Sequence, residues 1–389
     1  MSIRWGHGDV RVFAANASIS FAARFAEQHS VLFDRLEVFL SDPEPAVRLQ
    51  VAQDLQLLAA VSPDRMWEMG ERIAQQETHS EIIASYLNHA LRPFIHSEID
   101  RCEKVLQILQ VRIHCEFDQD TAGRNDLLEA VGSLAMELYV RQGRALARVW
   151  LEDWAGEPER VGALLNHFSS CLRGALFRRY AAKANAEEYS ACDRAQDCLA
   201  LVLNSSTLVA AEAYGALQSD AVEAEKKSAG LRYDAAELSI HHAMNQLYFG
   251  SGAHASDQHD SPGLPDAAAM AKFLIDYEGE LRLIARSRQP STLYYLIGLY
   301  GFLIPGNPVA VFEAIHAILL GRGEEEGYQY ESLGNTAVVE ILQRYIADYR
   351  LIFDDEGRRH RLVEILKVFS EVGWTDAMKL LYDLPDLLR

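Results

Sequence analysis

The fold class follows from residues 42–59, DPEPAVRLQVAQDLQLLA, which join a tight turn to an amphipathic helix. One face of that helix carries apolar residues at spacings of three and four: Val47, Val51, Leu55 and Leu58. Residues 9–22, DVRVFAANASISFA, repeat the plan, and Val10 precedes Val47 by 37 residues. Self-similarity at such a period is typical of stacked helical pairs, each of which buries its apolar side against the next. The polar positions of the 44–59 helix are expected to lie outward: Gln50, Gln53, Asp54 and Gln56.

The 42–59 stretch resembles a HEAT repeat, a family in which an Asp-Pro turn precedes a second helix that opens with Val-Arg. The matching positions are Asp42, Pro43, Val47, Arg48, Ala52, Leu55 and Leu58, and, without the proline, Asp9, Val10, Arg11, Ala15 and Ala22. The resemblance covers roughly residues 1–95. It implies a stack of helical pairs, usually a surface that holds other molecules, but it does not indicate which ligand. It also implies that Arg11 and Arg48 form a structural ladder with turn aspartates such as Asp9 and Asp42.

Residues 42–67 and the closing stretch 373–382, GWTDAMKLLY, are similar to the C-terminal helical region of large bacterial ATP-binding proteins. That resemblance implies a sensor or scaffold role in a bacterial defence or signalling complex, antiviral defence included. The chain has no Gly-x-x-x-x-Gly-Lys-Ser/Thr motif, the loop that cradles nucleotide phosphates. We therefore expect no ATP site and no cofactor.

Helical periodicity continues along almost the whole chain and period-two alternation is scarce, which predicts an all-α protein. The expected architecture is a HEAT-like α-solenoid leading into an irregular helical bundle. Polar and glycine-rich breaks divide it into HEAT-like helical repeats, an irregular helical region, a loop and a C-terminal helical region, at 1–122, 123–250, 251–266 and 267–389.

Charge and cysteine usage indicate the setting. The net charge of −19 argues against nucleic-acid binding, which normally needs a basic surface, although a nucleic-acid-binding helical-repeat protein stays an alternative.

The five cysteines lack the spacing of a zinc or redox motif and fit buried thiols in a reducing compartment. The most apolar run, 293–304, is shorter than the ~20 residues of a membrane helix, and no apolar signal segment opens the chain. We expect a cytoplasmic protein with no membrane contact.

Two sets of apolar and aromatic residues are candidates for binding a protein partner. Val12, Phe13 and Phe21 lie on a helix whose pairing partner is missing from the sequence before it, so they are expected to receive a partner end-on. The alternative is that residues 1–8 cover this edge, with Trp5 as a plug. Tyr328 and Tyr330, beside an acidic loop, are the second set.

No residue pattern predicts catalysis, and we expect a non-enzymatic protein. His254 and His259 share a loop with Asp257 and Asp260, and these ligand types suit zinc or another divalent ion. The loop lacks the tight spacing of a structural metal site, so a solvated loop is the favoured interpretation. A metal-dependent enzyme with a site near 241–260 stays the alternative.

Overall fold

Helices form all the regular structure in the part of the chain that the computed structural model describes, namely residues 9–115, 123–181, 183–220, 222–254, 263–320, 332–371 and 373–387. The prediction of an all-α protein is thereby confirmed. The chain divides into two compact units, Met1–Cys171 (unit 1) and Leu172–Arg389 (unit 2). The predicted boundary at residue 123 lies inside unit 1.

The helices of unit 1 are α1 (Val10–Phe25), α2 (Val31–Phe39), α3 (Pro45–Gln53), α4 (Pro63–Gln76), α5 (Ser80–Ser85), α6 (Ile99–Cys115), α7 (Arg124–Met136), α8 (Ala145–Ala155) and most of α9 (Pro158–Leu176). Shorter turns of 3-10 or π-helix lie at Leu55–Leu58, Tyr86–Leu91, Arg92–Phe94 and Glu137–Arg141. The predicted 44–59 helix is thus a nine-residue α-helix followed by a 3-10 turn.

Local sequence explains where these helices begin. Pro45 and Pro63 occupy the first turns of α3 and α4, where a missing amide proton costs nothing. The side chain of Asp9 accepts a hydrogen bond from the backbone amide of Arg11 at 2.8 Å and so caps α1. Gly123, which precedes α7, has a left-handed backbone with φ of 72°, a conformation that favours glycine.

The helices of unit 1 pack in an alternating order. Helix α1 packs against α3, α3 against α5 and α5 against α7, while α4 packs against α6. The residues between them are apolar and buried, and on α1 they are Val12, Ala15, Ile19 and Ala22. Helices α3, α5 and α7 therefore form one row, each leaving one face toward solvent.

The helices of unit 2 are α10 (Ala186–Gln218), α11 (Glu223–Ser251), α12 (Ala267–Asp276), α13 (Glu278–Ile284), α14 (Pro290–Leu303), α15 (Pro308–Leu320), α16 (Ser332–Asp348), α17 (Glu356–Glu371) and α18 (Thr375–Leu387). Helices α10 and α11 pack along each other as a long hairpin, and α13 and α14 pack against it. Asn185 and Glu188 form a capping box that starts α10. The large buried side chains of this unit include Phe273, Tyr277, Phe312, Tyr345, Phe353 and Phe369.

Candidate functional site

A groove of about 880 Å³ follows the row α3, α5 and α7 in unit 1. We call it the row groove. It is lined from α3 by Leu49, Gln50 and Gln53, and from α7 and α9 by Asp126, Glu129, Ala130 and His167. Its centre is formed by α5 and the turns after it, through Glu81, Ala84, Ser85, Asn88, His89 and Arg92. Most of these side chains are polar, so the groove is built for hydrogen bonds and charge rather than for an apolar ligand.

The central segment reaches the groove because its polar and apolar residues occupy different faces. Ile82, Ile83, Leu87 and Leu91 are buried, whereas Asn88 and His89 are exposed. Glu81, Ser85, Asn88 and Arg92 recur at helical spacing and so share the solvent face. The buried face fixes the helix, and the polar face lines the groove.

The two glutamines of α3 have different roles. Gln50 was expected to lie outward, but it is buried, because the α3 face that carries it turns toward the row, and its Nε2 donates to the carbonyl oxygen of Ala46 at 3.3 Å. Gln53, one turn further on, is half-buried and lines the groove. On the α3 wall of the groove, the Gln50 amide is therefore bonded within its own helix, whereas the Gln53 amide is accessible.

Carboxylates outnumber cations along the groove. Three of the residues that line the groove carry carboxylates, namely Glu81, Asp126 and Glu129, whereas Arg92 is the one permanent cation among them. His167 Nδ1 lies 3.9 Å from the Glu129 carboxylate. Beside the groove, burial raises the pKa of Asp54, against the opposing effects of a hydrogen bond from Gln53 and the charge of nearby His89. The resulting field favours a ligand with basic groups.

Arg92 is held in place by two hydrogen bonds. Its Nη2 donates to Oδ1 of Asn88 at 3.1 Å and to the hydroxyl oxygen of Ser133 at 2.8 Å. These two bonds hold the Arg92 guanidinium in one position, so the groove contains a fixed hydrogen-bond donor beside carboxylate and amide groups.

Two arginines connect neighbouring segments of unit 1. Arg11 contacts the carboxylates of both Asp9 and Asp42, at 2.8 and 3.0 Å. Arg48 donates to the backbone oxygen of Asp42 at 2.8 Å, but its carboxylate partner is Glu77. These contacts connect α1 to the turn before α3, and α3 to the end of α4.

Of the three residues predicted to receive a partner at the N-terminal edge, two are exposed and one is buried. Phe13 and Phe21 are 59% and 55% exposed. Val12 is 2% exposed, because it belongs to the stripe of α1 that faces α3, so its side chain is not at this surface. Phe21 also lines an apolar hollow of about 450 Å³ together with Phe25, His29, Val31 and Leu32.

The predicted metal and tyrosine sites lie largely outside the described residues. His254 is exposed and its ring packs against Phe249 at 5.3 Å, while His259, Tyr328 and Tyr330 are among the residues that the structure does not describe. In the described ranges, no group of three or more His, Cys, Asp or Glu side chains could hold a metal ion.

By length and composition α10 alone among the described helices could cross a membrane, but half of its apolar window is buried, and core helices of soluble proteins share these properties.

Sequence reasoning did not single out the centre of the row groove. Asn88, His89 and Arg92 interrupt an otherwise apolar run, and that interruption was the available signal.

In comparisons with protein-family models, with curated proteins and with solved structures, nothing was found to match this chain.

Proposed function

We propose that this chain is a non-enzymatic scaffold or sensor module whose row groove binds a segment of a protein partner. The observation that carries the proposal is the groove itself, an open surface with polar groups on α3, α5, α7 and α9. A cleft that crosses a row of helices is the usual binding surface of a helical-repeat protein.

A HEAT-like α-solenoid in unit 1 is part of this proposal. Two features support it: the alternating order in which α1, α3, α5 and α7 pack, and the arginine at equivalent positions 11 and 48. Each arginine bonds to a residue about thirty positions later, Asp42 or Glu77, as repeat-to-repeat contacts in a stack would.

The chemistry of the groove favours a partner segment with lysine or arginine side chains. Asp126 and Glu129 are both exposed and lie on one face of α7. Amide groups of Gln53 and Asn88 can pair with the backbone of such a segment. Charge complementarity of this kind speeds association and rejects acidic competitors. A bacterial defence or signalling complex in the cytoplasm is the setting that the sequence resemblance suggests for this partner.

Photo-crosslinking tests the proposal. A photoreactive amino acid replaces Asn88 in the groove, and the control replaces Gln107, an exposed position on α6 that does not line it. We expect a discrete adduct with one protein in the native host from position 88 and none from position 107.

Charge reversal then tests the role of the groove carboxylates. The double variant Asp126→Lys, Glu129→Lys should abolish the adduct from position 88. The matched control is Asp64→Lys, Glu68→Lys on α4, where both carboxylates are exposed and outside the groove. Equal adducts from positions 88 and 107, or equal losses in the two charge reversals, would contradict a binding role for the groove.

A further inference from the structure

Helix α1 carries apolar residues on two opposite faces. The inner face packs on α3 and is buried. The outer face is apolar as well, and its members recur at spacings of three and four: Val10, Phe13, Ala14, Ala17, Phe21 and Phe25. The large side chains of this outer face are exposed, from 41% at Phe25 to 77% at Val10. A helix that is apolar all round is normally buried, so the exposed outer face indicates an interaction surface.

The shape of the outer face is self-complementary. Its centre is low, because the small residues Ala14 and Ala17 lie there. Phe13 lies on one side of this centre along the helix and Phe21 on the other. Beside Phe21 is the apolar hollow of about 450 Å³ that this residue shares with the start of α2. A protruding end and a hollow thus lie on one face of a single helix, which allows two copies to fit each other twice.

We propose that this face binds the same face of a second copy of the chain, with the two α1 helices antiparallel about a two-fold axis beside Ala17. In that arrangement Phe13 of each copy lies opposite Phe21 of the other, and Val10 of each copy reaches the hollow of the other. The alanines at the centre let the helices approach closely. Helix α1 does not line the row groove, so this pairing is independent of the function proposed for the groove.

Charge complementarity favours a second copy and sets its direction. Arg24, at the edge of the outer face, is exposed and forms no ion pair among the described residues. At the other end of α1, Asp9 and Asp42 share the single guanidinium of Arg11, which leaves one net negative charge. In an antiparallel pair, Arg24 of one copy lies beside Asp9 of the other. A parallel pair would instead place Arg24 beside Arg24, and like charges repel.

The area of the outer face is sufficient for a weak dimer. The exposed parts of its phenylalanines amount to roughly 300 Å², given about 150–250 Å² for a whole side chain. With Val10, Val31 and the alanines included, each copy buries on the order of 500 Å², so the pair buries about 1,000 Å². This total lies at the low end for specific interfaces, and we expect a dissociation constant on the order of 10 µM.

Sedimentation velocity of the full chain, from about 1 to about 200 µM, tests the pairing, and we expect the monomer–dimer transition in this range. Phe21→Glu places a charge in the contact and should weaken dimerisation at least about tenfold. Val111→Glu is the matched control, because Val111 is an exposed apolar residue of α6 away from this face, and it should leave dimerisation unchanged. Melting temperatures confirm that both variants are folded. Equal losses of dimer in the two variants would contradict the assignment.

Engineered cysteines test the antiparallel direction, with a short bis-maleimide as the crosslinker and the wild-type chain as the control for native thiols. Ala17→Cys, beside the two-fold axis, should link to itself in a second copy. Val10→Cys should link to Phe25→Cys when the two variants are mixed, but not to itself. Self-linking of Val10→Cys would rule out the antiparallel pair.

The concentration series also identifies any other occupant of the outer face. A full chain that stays monomeric at about 200 µM would overturn the proposal. If removal of residues 1–8 then produced dimers, those residues would be the segment that covers α1. Monomers in both forms would assign the outer face to a different protein.

Discussion

Arg48 and Glu77 form a two-bond ion pair in unit 1, with Nε at 2.8 Å from Oε2 and Nη2 at 2.9 Å from Oε1. Both side chains are largely buried, at 12% and 6% exposure. Parallel bonds between a guanidinium and a carboxylate fix orientation as well as distance. The pair therefore connects the start of α3 to the end of α4 in a single geometry.

Glu77 is also the centre of a larger set of bonds. Its Oε1 accepts from the backbone amides of Thr78 and His79, each at 2.9 Å. The backbone oxygen of Glu77 accepts from Nη2 of Arg112 at 2.7 Å. Glu77, at the end of α4, is thus bonded to α3, to α6 and to the turn before α5. Helix α5 in turn carries part of the centre of the row groove.

The first prediction is that Arg48→Ala destabilises the protein by about 3 kcal/mol. Removing the arginine leaves the Glu77 carboxylate buried without its charge partner, and that cost exceeds the net value of the pair itself. Urea unfolding, with hydrogen exchange read at residues 31–113, measures the loss and its location.

Arg11→Ala is the control for this prediction. Arg11 occupies the equivalent repeat position, but its side chain is 49% exposed and its ion pairs are screened by water. Its replacement should cost much less than that of Arg48. Similar losses in the two variants would show that burial does not decide the strength of these contacts.

The second prediction concerns the close approach of α7 and α9. A Cβ atom on Gly132 would lie 2.7 Å from the backbone oxygen of Leu164, which no side chain can tolerate without a shift of one helix. Gly132→Ala should therefore destabilise the protein by about 1–3 kcal/mol. Thermal unfolding of the variant provides the measurement.

Gly215→Ala is the matched control, because Gly215 lies inside α10 with open space around its Cβ position. Alanine has a higher helix propensity than glycine, so this variant should gain up to about 1 kcal/mol. A gain at position 132 would mean that α7 and α9 are not in contact there.

The sequence was sufficient for the all-helical fold and for one ion pair, that of Arg11 with Asp42. Pro45 and Pro63 lie in the first turns of α3 and α4, the part of a helix that proline fits best. Arg11 and Asp42 could be paired in advance, since both belong to the repeated motif. Local patterns of this kind need no knowledge of the three-dimensional arrangement.

The partner of Arg48 and the row groove could not be predicted in the same way. Glu77 lies outside the repeated motif, and nothing in its neighbours marks it as a buried acceptor. Whether Asn88 lines a groove depends on how α3, α5 and α7 pack against one another, because that packing decides which face of the segment after α5 is left open.

The third prediction is a loss of stability in mild acid that His241 helps to cause. Burial, and secondarily the neighbouring His242, lower the pKa of His241 below its ordinary value of about 6.5. Between that lowered pKa and about 6.5 the unfolded chain binds more protons than the folded one, so stability rises with pH across this window. Acidification through it should lower the melting temperature.

His241→Asn should reduce this pH dependence, because asparagine does not titrate and can still bond to Thr292, whose Oγ1 lies 3.1 Å from Nδ1 of His241. His242 should account for part of the remaining slope, since burial lowers its pKa as well. His360→Asn is the control at a position 73% exposed, and it should leave the profile nearly unchanged. Identical profiles for wild type and His241→Asn would remove this histidine from the explanation.

The fourth prediction is an order of reactivity among the four cysteines whose side chains the structure describes. Cys102, Cys192 and Cys198 are buried, whereas Cys171 is half-buried. Burial raises the pKa of the Cys102 thiol to about 12, and it raises those of Cys171 and Cys192 as well. Alkylation needs both access and thiolate, and at pH 8 a thiol of that pKa is only about 0.01% ionised.

Among these four cysteines of the native protein, iodoacetamide should therefore modify Cys171 first, and it should modify Cys102 at least about 100-fold more slowly than an unfolded thiol. Peptide mass spectrometry over a time course measures each rate separately. In denaturant the four residues should react at similar rates, because the differences come from burial and not from sequence neighbours. Labelling of Cys102 as fast as Cys171 in the native state would show that α6 opens on the timescale of the reaction, and the rate of that opening would then follow from the labelling rate itself.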